Sequence, residues 1–307
     1  MSKTVFVDGA AGTTGLEIVD RLAGRSEFSL VRLDDDRRKD AAARREALND
    51  ADFVILCLPD DAAREAVAMI DSAAPRVIDA STAHRVAEGW TYGMPEIVGR
   101  ETVAAARRIA NPGCYPTGFL ALVAPLVRAG LLPADWPFTV NAVSGYSGGG
   151  KSLIERFEAD PDIAFRTYGL TLAHKHVPEM QKYAGLALPP LFAPSVIPAH
   201  RGMVVDVPLP LGAMPGAAEP ARLRDALAQF FAGSPLVTVH ADAPNELLLR
   251  RSRAASDTLD LYVFGADDGS QARLVAMLDN LGKGASGAAV QSLNLMAGLP
   301  ETAGLQL

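Results

Sequence analysis

The first 110 residues alternate short apolar runs with segments of helical periodicity, and this alternation constrains the fold more than any other feature. The apolar runs show no polar alternation, as Phe53–Leu58 illustrates. Strands of this kind are buried on both faces, which is typical of parallel sheets covered by helices on either side. The predicted strands are Thr4–Val7, Phe28–Leu33, Phe53–Leu58, Arg76–Asp79 and Arg108–Ala110. The predicted helices are Gly15–Ala23 with Leu16, Val19 and Leu22 on one face, Ala41–Leu48, and Asp60–Ile70 with Asp60 or Asp61 as N-cap.

The remainder of the chain has more strands in succession and fewer helices between them. This order predicts an α+β domain with a mixed or antiparallel sheet. The predicted strands are Phe138–Ser144, Ser195–Ile197, Met203–Pro210, Leu236–His240, Leu259–Gly265 and Ala272–Leu278. The predicted helices are Thr117–Arg128, Lys151–Glu158, Ala221–Phe231 and, at the end, Ser286–Met296. The fold class is therefore α/β, a Rossmann-type doubly wound parallel sheet plus an α+β domain.

Composition excludes several classes of function. A chain of 307 residues predicts about two domains. The net charge of −7, from 29 basic and 36 acidic residues, argues against nucleic acid or an anionic membrane as partner. Two cysteines exclude a disulfide scaffold and a multi-cysteine metal site. No secretory leader and no apolar stretch of ~18 residues occurs, which predicts a soluble cytoplasmic protein.

A glycine-rich loop joins the first predicted strand to the first helix. Its spacing, G-x-x-G-x-x-G, is a variant of the dinucleotide-binding fingerprint. Glycines there allow a tight turn and bring backbone N–H groups close to a pyrophosphate at the helix N-terminus. A plain strand–helix turn is the alternative, but the position at the first crossover favours nucleotide binding. The candidate cofactor residues are Gly9, Gly12, Thr13, Thr14 and Gly15.

The end of the second strand should meet the adenine ribose of such a cofactor. The segment Leu33–Lys39 carries three aspartates followed by Arg37 and Arg38. An acidic residue there would bind the ribose hydroxyls of NAD, and an arginine the 2′-phosphate of NADP. The two arginines favour NADP. A solvated charged loop is the alternative.

The motif Asn111–Thr117 places Cys114 just after a predicted strand and just before an apolar helix. The positive end of the helix dipole favours the thiolate at that position. An activated cysteine beside a nicotinamide cofactor suggests attack on an acyl donor, followed by reduction of the resulting thioester to an aldehyde. An accessible cap cysteine without a catalytic role is the alternative. Cys57, inside an apolar strand, is interpreted as a small buried hydrophobic residue.

Two histidines form a second polar cluster. His174 and His176 flank a lysine just before a helix that begins with proline, and on an extended segment they face the same side. A thiol nucleophile needs a base, and histidine supplies acid and base near neutral pH. Zinc binding is the rival interpretation, but no further histidine or cysteine stands at ligand spacing, so no metal site is predicted.

The segment Gly145–Ser152 matches the phosphate-binding loop of nucleotide hydrolases, G-x-x-x-x-G-K-[ST]. A kinase or ATPase is therefore one alternative. The chain that follows does not alternate strand and helix as such a domain should. We interpret the loop, with Ser147 and Gly148 at its centre, as a cradle for the phosphate of a substrate.

With these motifs the sequence resembles the N-acetyl-gamma-glutamyl-phosphate reductases of arginine biosynthesis, in particular their shorter subgroup. The resemblance covers essentially the whole chain, and the Asn-Pro-Gly-Cys-Tyr-Pro-Thr string is its most specific part. The chain departs from longer members at Lys175 and Val177, and at His84 where they have phenylalanine. The segments that carry it are Gly9–Gly15, Ser81–Arg85, Tyr92–Glu96, Asn111–Thr117, Ser144–Lys151, His174–Glu179 and Asn280–Ala285.

The resemblance implies an NADPH-dependent oxidoreductase in which Cys114 is the nucleophile and His176 the acid/base. The implied reaction reduces N-acetyl-L-glutamyl 5-phosphate to N-acetyl-L-glutamate 5-semialdehyde and phosphate. The implied NADP domain comprises residues 1–114 and 284–307, with the substrate and dimerisation domain, 115–283, inserted between them. A homo-oligomer, dimer or tetramer, is implied. The resemblance adds Ser81, Asn280, Lys283 and Gly284 to the cofactor residues, and His174, Arg85, Ser147, Gly148 and Arg201 are the candidates for binding substrate.

Two further hypotheses stay open at this point. Aspartate-semialdehyde dehydrogenase shares the domain plan and the thioester chemistry but lacks the Pro-Gly-Cys-Tyr-Pro string. A non-catalytic NADP-binding protein would keep the first domain without activity.

Overall fold

The computed structural model describes residues 2–34 and 36–307 and divides into two compact units. The first unit contains the chain up to Pro112 together with Ala285–Leu305. The second contains Gly113–Gly284 and the last two residues, Gln306–Leu307. Across the described residues, no helix has the length and apolar character needed to cross a membrane.

The first unit is built on a sheet of six parallel strands. The strands are β1 (Lys3–Asp8), β2 (Phe28–Val31), β3 (Phe53–Leu56), β4 (Arg76–Asp79), β5 (Thr91–Tyr92) and β6 (Arg108–Ala110). Their order in the sheet is β2-β1-β3-β4-β6-β5. The chain reverses direction of winding between β1 and β3, and crevices at such switch points bind ligands in doubly wound folds.

Helices cover both faces of this sheet, which confirms the predicted doubly wound class. They are α1 (Thr13–Leu22), α2 (Ala41–Asp50), α3 (Asp60–Ala68), α4 (Pro95–Val98), α5 (Arg100–Ala105) and, from the end of the chain, α10 (Gly287–Ala297). Because successive strand residues face opposite sides, Val5 and Val7 join a core with α1, α5 and α10. Phe6 joins the other core, with α2 and α3.

Two local expectations for these helices were wrong. Leu16 does not share the buried face of α1: 52% of its surface is exposed, while Ile18 and Leu22 are buried. Neither aspartate is the N-cap of α3, because Pro59 occupies that position. Asp60 instead accepts hydrogen bonds from the backbone N–H and the hydroxyl of Thr82, at 2.9 and 2.5 Å.

The second unit contains a mixed sheet of seven strands, which confirms the α+β prediction. The strands are β7 (Thr139–Gly145), β8 (Arg166–Thr167), β9 (Leu191–Ile197), β10 (Met203–Leu209), β11 (Val237–Val239), β12 (Leu259–Gly265) and β13 (Ala272–Leu278). Their order is β11-β12-β13-β10-β7-β9-β8. Only the pairs β11·β12 and β7·β9 are parallel.

One long apolar helix forms the centre of this unit's core. The helices are α6 (Cys114–Arg128), α7 (Lys151–Ala159), α8 (Val177–Ala184) and α9 (Pro220–Phe230). Nearly every residue of α6 is buried, and a Cβ at Gly118 would lie 2.8 Å from a methyl of Val205 on β10. This close approach holds the first turn of α6, and therefore Cys114, in a fixed place against the sheet.

Candidate functional site

The glycine-rich loop leaves no room for side chains at two of its three glycines. Gly9 has φ of +85°, and a Cβ there would lie 2.3 Å from the carbonyl oxygen of Cys57. A Cβ at Gly15 would lie 2.5 Å from the carbonyl oxygen of Gly9. Gly12 is the N-cap of α1, which begins with Thr13 and Thr14. The loop therefore packs tightly at the N-terminus of α1, as the glycines of a dinucleotide fingerprint do.

A cavity of about 1080 Å³ lies against this loop within the first unit. Leu16 lines it, which explains why this leucine is exposed on α1. Arg38 lines it as well, whereas Arg37 pairs with Glu46 at 3.3 Å. Asp35, in the same predicted segment, lies outside the described residues. The sequence analysis missed three further basic residues of the lining: Arg32, Lys39 and Arg44.

Asp8, at the carboxyl end of β1, is fixed at the edge of the cavity by Arg44 from α2. The guanidinium donates to one carboxylate oxygen of Asp8 through Nη2 at 2.8 Å and Nε at 3.2 Å. Both side chains are nearly buried. The ion pair thus links the carboxyl end of β1 to α2. The lining of the cavity thus combines basic side chains with the carboxylates of Asp8, Asp34 and Asp36.

Two predicted residues of the Ser81–Arg85 segment lie beside the ends of β4 and β6. The hydroxyl of Ser81 donates to Asp79 at 2.8 Å, and the same carboxylate contacts Nδ1 of His84 at 2.6 Å. Arg85 is buried and donates to the backbone carbonyls of Asn111 at 3.0 Å and Ala80 at 3.3 Å. This placement favours a structural role for Arg85 over substrate binding. The assignment of Ser81 to the cofactor stays a prediction.

Cys114 is the first residue of α6 and is partly exposed. Gly113 is the N-cap, and Pro116 stands in the first turn, where a missing N–H costs nothing. The thiol therefore lies at the positive end of the helix dipole, which favours its thiolate form. Cys57 is also partly exposed and lies just after β3, so the expectation of a buried strand residue was wrong. Desolvation nevertheless raises the pKa of its thiol to about 12, with smaller contributions from Asp79 and Asp8.

A buried carboxylate connects the nucleophile's loop to the predicted base. Glu179, in the first turn of α8, is 1% exposed. One of its oxygens accepts a hydrogen bond from the backbone N–H of Gly113 at 3.1 Å, and the other lies 4.0 Å from Nε2 of His176. Because Gly113 precedes Cys114, this one carboxylate binds the backbone beside the predicted nucleophile and lies near the ring of the predicted base. The sequence analysis gave Glu179 no role.

The two predicted histidines pack together inside an aromatic cluster. Their ring centroids are 4.7 Å apart, and Nδ1 of His174 accepts the backbone N–H of His176 at 3.1 Å. That bond makes Nε2 the protonated nitrogen of a neutral His174. Tyr115 packs against both rings, at 6.3 and 5.8 Å. The structure therefore brings His174 and His176 together beside the residue that follows Cys114.

Two phenols complete this cluster. The hydroxyl of Tyr168 donates to that of Tyr115 at 3.3 Å, which in turn donates to the carbonyl of Ser195 at 3.1 Å. Burial raises the pKa of Tyr168 to about 12 and that of Tyr115 well above its usual range, and the nearby Cys114 raises both further. Both phenols therefore stay neutral donors near the nucleophile at physiological pH. Nothing in the local sequence around Tyr168 indicated this position.

The predicted phosphate cradle is a 3₁₀ turn, Tyr146–Gly149, that follows β7. Within it, the hydroxyl of Ser147 accepts a hydrogen bond from the amide of Asn280 at 2.9 Å. A Cβ at Gly148 would lie 3.1 Å from Oγ of Ser144. Lys151, the lysine of the nucleotide-hydrolase motif, is 84% exposed and lies 3.9 Å from Glu155. This placement of the lysine argues against a nucleotide-hydrolase loop.

Residues after β13 connect Arg201 to the neighbourhood of Cys114. The guanidinium of Arg201 donates to Asp279 at 2.8 Å. The carbonyl of Asp279 accepts the N–H of Gly284 at 3.0 Å, and a Cβ at Gly284 would lie 2.9 Å from Cβ of Cys114. Lys283, beside it, is buried. The assignment of Asn280, Lys283 and Gly284 to the cofactor stays a prediction.

Comparison with known proteins agrees with this two-unit fold. Residues 4–106 match the family model described as semialdehyde dehydrogenase, NAD binding domain, and residues 114–280 match semialdehyde dehydrogenase, dimerisation domain. Among solved structures, aspartate semialdehyde dehydrogenase II of Vibrio cholerae, complexed with ASA, has a TM-score of 0.70 at 18% identity, covering 96% of this chain and 98% of its own. The Francisella tularensis aspartate semialdehyde dehydrogenase has a TM-score of 0.71 at 11% identity, with 96% and 100% covered. The family matches and the fold thus define a protein of the semialdehyde dehydrogenase class.

Relatives at much higher identity narrow the assignment. N-acetyl-gamma-glutamyl-phosphate reductase 2 of Nostoc sp. is 49% identical, with 98% of each chain covered. The N-acetyl-gamma-glutamyl-phosphate reductase of Chelativorans sp. is 50% identical over 96% of this chain and 98% of its own. The corresponding reductase 2 of Pseudomonas putida is 49% identical over 96% of each. The chain belongs to the N-acetyl-gamma-glutamyl-phosphate reductase family.

Proposed function

We propose that this chain reduces N-acetyl-L-glutamyl 5-phosphate with NADPH, forming N-acetyl-L-glutamate 5-semialdehyde and phosphate. The observation that carries the proposal is the arrangement at the start of α6. Cys114 is partly exposed at a helix N-terminus, and Glu179 connects the residue before it to His176. A nucleophile, a base and a group that orients the base are the elements of covalent acyl transfer. We take the identity of the substrate from the relatives, which are named N-acetyl-gamma-glutamyl-phosphate reductases.

The chemistry divides into acyl transfer and reduction. His176 accepts the proton of the Cys114 thiol, and Sγ then bonds to the acyl carbon while the bond from that carbon to the phosphate oxygen breaks. Phosphate leaves, and a thioester remains on Cys114. When bound, NADPH supplies the hydride that reduces this thioester. Collapse then restores a carbonyl, breaks the carbon–sulfur bond, and returns the proton from His176 to the departing sulfur.

We assign the cofactor to the first unit and acyl transfer to the second. The close backbone approach at Gly9 and Gly15 and the adjoining cavity of about 1080 Å³ fit a dinucleotide. Gly12, Thr13 and Thr14 would hold the pyrophosphate with their backbone N–H groups at the N-terminus of α1. Arg38 would pair with a 2′-phosphate, which supports NADP over NAD.

A reverse assay with two aldehydes tests the proposed substrate. The chain, NADP and phosphate are mixed with N-acetylglutamate semialdehyde or with aspartate semialdehyde, and NADPH formation is followed by absorbance. We expect turnover with the first aldehyde, and at least about 10²-fold lower kcat/KM with the second, because the two differ in chain length and in an acylated rather than charged amine. Turnover with aspartate semialdehyde alone would overturn the assignment. Cofactor binding without turnover of either would favour a non-catalytic NADP-binding protein.

Replacing the proposed base tests its role separately. We expect His176→Asn to lower kcat by roughly 10²- to 10⁴-fold, because the thiol loses its proton acceptor. NADPH affinity, measured by fluorescence titration, should stay within about twofold. His240→Asn is the matched control, since His240 pairs with Asp260 on the surface of the second unit. Wild-type turnover by the His176 variant would remove this residue from the mechanism.

We further propose a homo-oligomer, dimer or tetramer, that works in the cytoplasm. One face of the seven-stranded sheet is covered by helices, and the other carries half-buried side chains such as Val204, Pro208 and Phe264. Apolar side chains on an open sheet face favour association with a second copy. A reduced cytoplasm would keep the thiol of Cys114 free. Light scattering coupled to size-exclusion chromatography distinguishes a dimer from a tetramer.

A further inference from the structure

Asp279 is a fully buried carboxylate that the proposed mechanism does not use. It follows β13 directly and is 0% exposed. Its Oδ1 accepts the backbone N–H of Leu281 at 2.9 Å, and its Oδ2 accepts that of Ser256 at 3.3 Å. The same Oδ2 accepts Nη1 of Arg201 at 2.8 Å. A carboxylate buried this deeply persists only where it is paired and hydrogen-bonded, so its position is tightly fixed.

We propose that Asp279 is a positioning residue, which holds Arg201 so that its guanidinium binds an anionic group of the substrate, either the phosphate or the carboxylate. This inference rests on the proposed function. A guanidinium carries five N–H donors in a planar fork, so an arginine whose one edge meets a carboxylate can bind a second anion along another. The side chain of Arg201 is 15% exposed, which leaves it accessible to a small anion.

The chain around Asp279 places this pair close to the nucleophile. The carbonyl of Asp279 accepts the N–H of Gly284, where an added Cβ would lie 2.9 Å from Cβ of Cys114. Gly284 is therefore the residue that lies between the backbone of Asp279 and Cys114, the proposed nucleophile. An acyl phosphate bound at Sγ has its charged groups within a few bonds of the reacting carbon, and the proposal assigns one of them to Arg201.

The neighbouring residue fixes the segment that follows Arg201. Asn280 accepts the backbone N–H of Gly202 at 2.8 Å and donates to Ser147 at 2.9 Å. Gly202 has φ of +106°, a backbone conformation that favours glycine. Asp279 thus holds the guanidinium of Arg201, and Asn280 holds the hydroxyl of Ser147. Both Arg201 and Ser147 are predicted substrate residues. Orientation of this kind lowers the entropy lost when substrate binds.

Asp279→Asn tests the proposal because it removes the charge but keeps the shape. We expect the KM for the anionic substrate to rise about 10- to 100-fold, while kcat changes less than about threefold. Loss of a negative charge beside Arg201 would by itself favour an anion, so a higher KM can come only from lost orientation. Asp71→Asn is the matched control, since Asp71 pairs with Arg45 on the surface at 2.7 Å. An unchanged or lower KM, or a fall in kcat alone, would overturn the proposal.

A double-mutant cycle separates positioning from a general structural effect. If Asp279 acts through Arg201, Asp279→Asn should add nothing to the KM of an Arg201→Gln variant. Additive effects would overturn the proposal. Should Asp279→Asn fail to fold, Asp279→Glu, which keeps the buried charge paired, carries the same test with a smaller rise in KM.

Protection of Cys114 from iodoacetamide provides a readout that needs no turnover. Inorganic phosphate and N-acetyl-L-glutamate serve as probes, one for each anionic group. The probe whose half-protective concentration rises about tenfold in Asp279→Asn identifies the group that Arg201 binds. If neither concentration changes, the proposal fails even where the wild-type reaction is as proposed. If the wild type turns over no acyl phosphate, the proposed function fails independently of this result.

Discussion

Cys114→Ser is expected to lower kcat by at least about 10⁴-fold while NADPH binding by the first unit stays intact. The serine hydroxyl stays protonated where the thiol ionises, and an ester is a poorer hydride acceptor than a thioester. The measurement pairs single-turnover kinetics with fluorescence titration of NADPH. Residual turnover within about tenfold of wild type would remove Cys114 as the nucleophile.

Alkylation provides the control for this variant, because the chain has a second cysteine. Burial raises the pKa of the Cys57 thiol to about 12, so its thiolate is scarce at pH 7 to 8.5. Iodoacetamide should therefore label Cys114 and abolish turnover before it labels Cys57, as peptide mass spectrometry can show. The reactivity of Cys57 should rise only as the pH approaches 12. Early labelling of Cys57, or labelling of Cys114 without loss of turnover, would contradict the assignment.

Gly9→Ala is expected to abolish NADPH binding by the first unit. The added Cβ would lie 2.3 Å from the carbonyl oxygen of Cys57, and φ of +85° is strained for alanine. Backbone atoms cannot move aside as a flexible side chain can, so the loop must open. We expect an increase of at least about 10²-fold in the Kd of NADPH, measured by fluorescence titration, because the N–H groups proposed to face the pyrophosphate lose their positions.

Gly24→Ala is the matched control for backbone strain. Gly24 has φ of +75°, but a Cβ there meets nothing within 4 Å. This variant should lose only about 1 kcal/mol of unfolding free energy and keep its NADPH affinity. If Gly9→Ala binds NADPH like the control, the glycine loop is not the pyrophosphate site. Thermal unfolding of both variants separates loss of binding from loss of the fold.

Local sequence patterns were sufficient to predict most of the fold. Uniformly apolar runs such as Phe53–Leu56 identified the parallel sheet, because only strands covered on both faces exclude polar residues entirely. The two-residue strands Thr91–Tyr92 and Arg166–Thr167 were missed. Strands that short carry no periodicity, and their partners in the sheet, not their own residues, determine them. The helix predicted over Thr117–Arg128 does end at Arg128, with Pro125 inside it, but it begins three residues earlier, at Cys114.

The candidate site was predictable only where its residues cluster in sequence. Cys114 and His176 each stand in a short motif whose neighbouring residues in the sequence already indicate their chemistry. Glu179 and Asp279 act over long separations: the first reaches Gly113, 66 residues away, and the second reaches Arg201, 78 residues away. Nothing in a single sequence reports such pairings, although a carboxylate three residues after His176 on a helix was a usable signal.

The two places where the chain enters and leaves the second unit lie side by side. Cys114 follows the entry, Gly284 marks the exit, and a Cβ at Gly284 would lie 2.9 Å from Cβ of Cys114. A module with adjoining ends can be inserted into a loop of its host, or exchanged for another, without distorting either partner. Replacement of the second unit alone would therefore give the same nucleotide-binding unit a different acyl specificity. Because Cys114, the proposed nucleophile, is the second residue of that unit, each replacement would bring its own nucleophile.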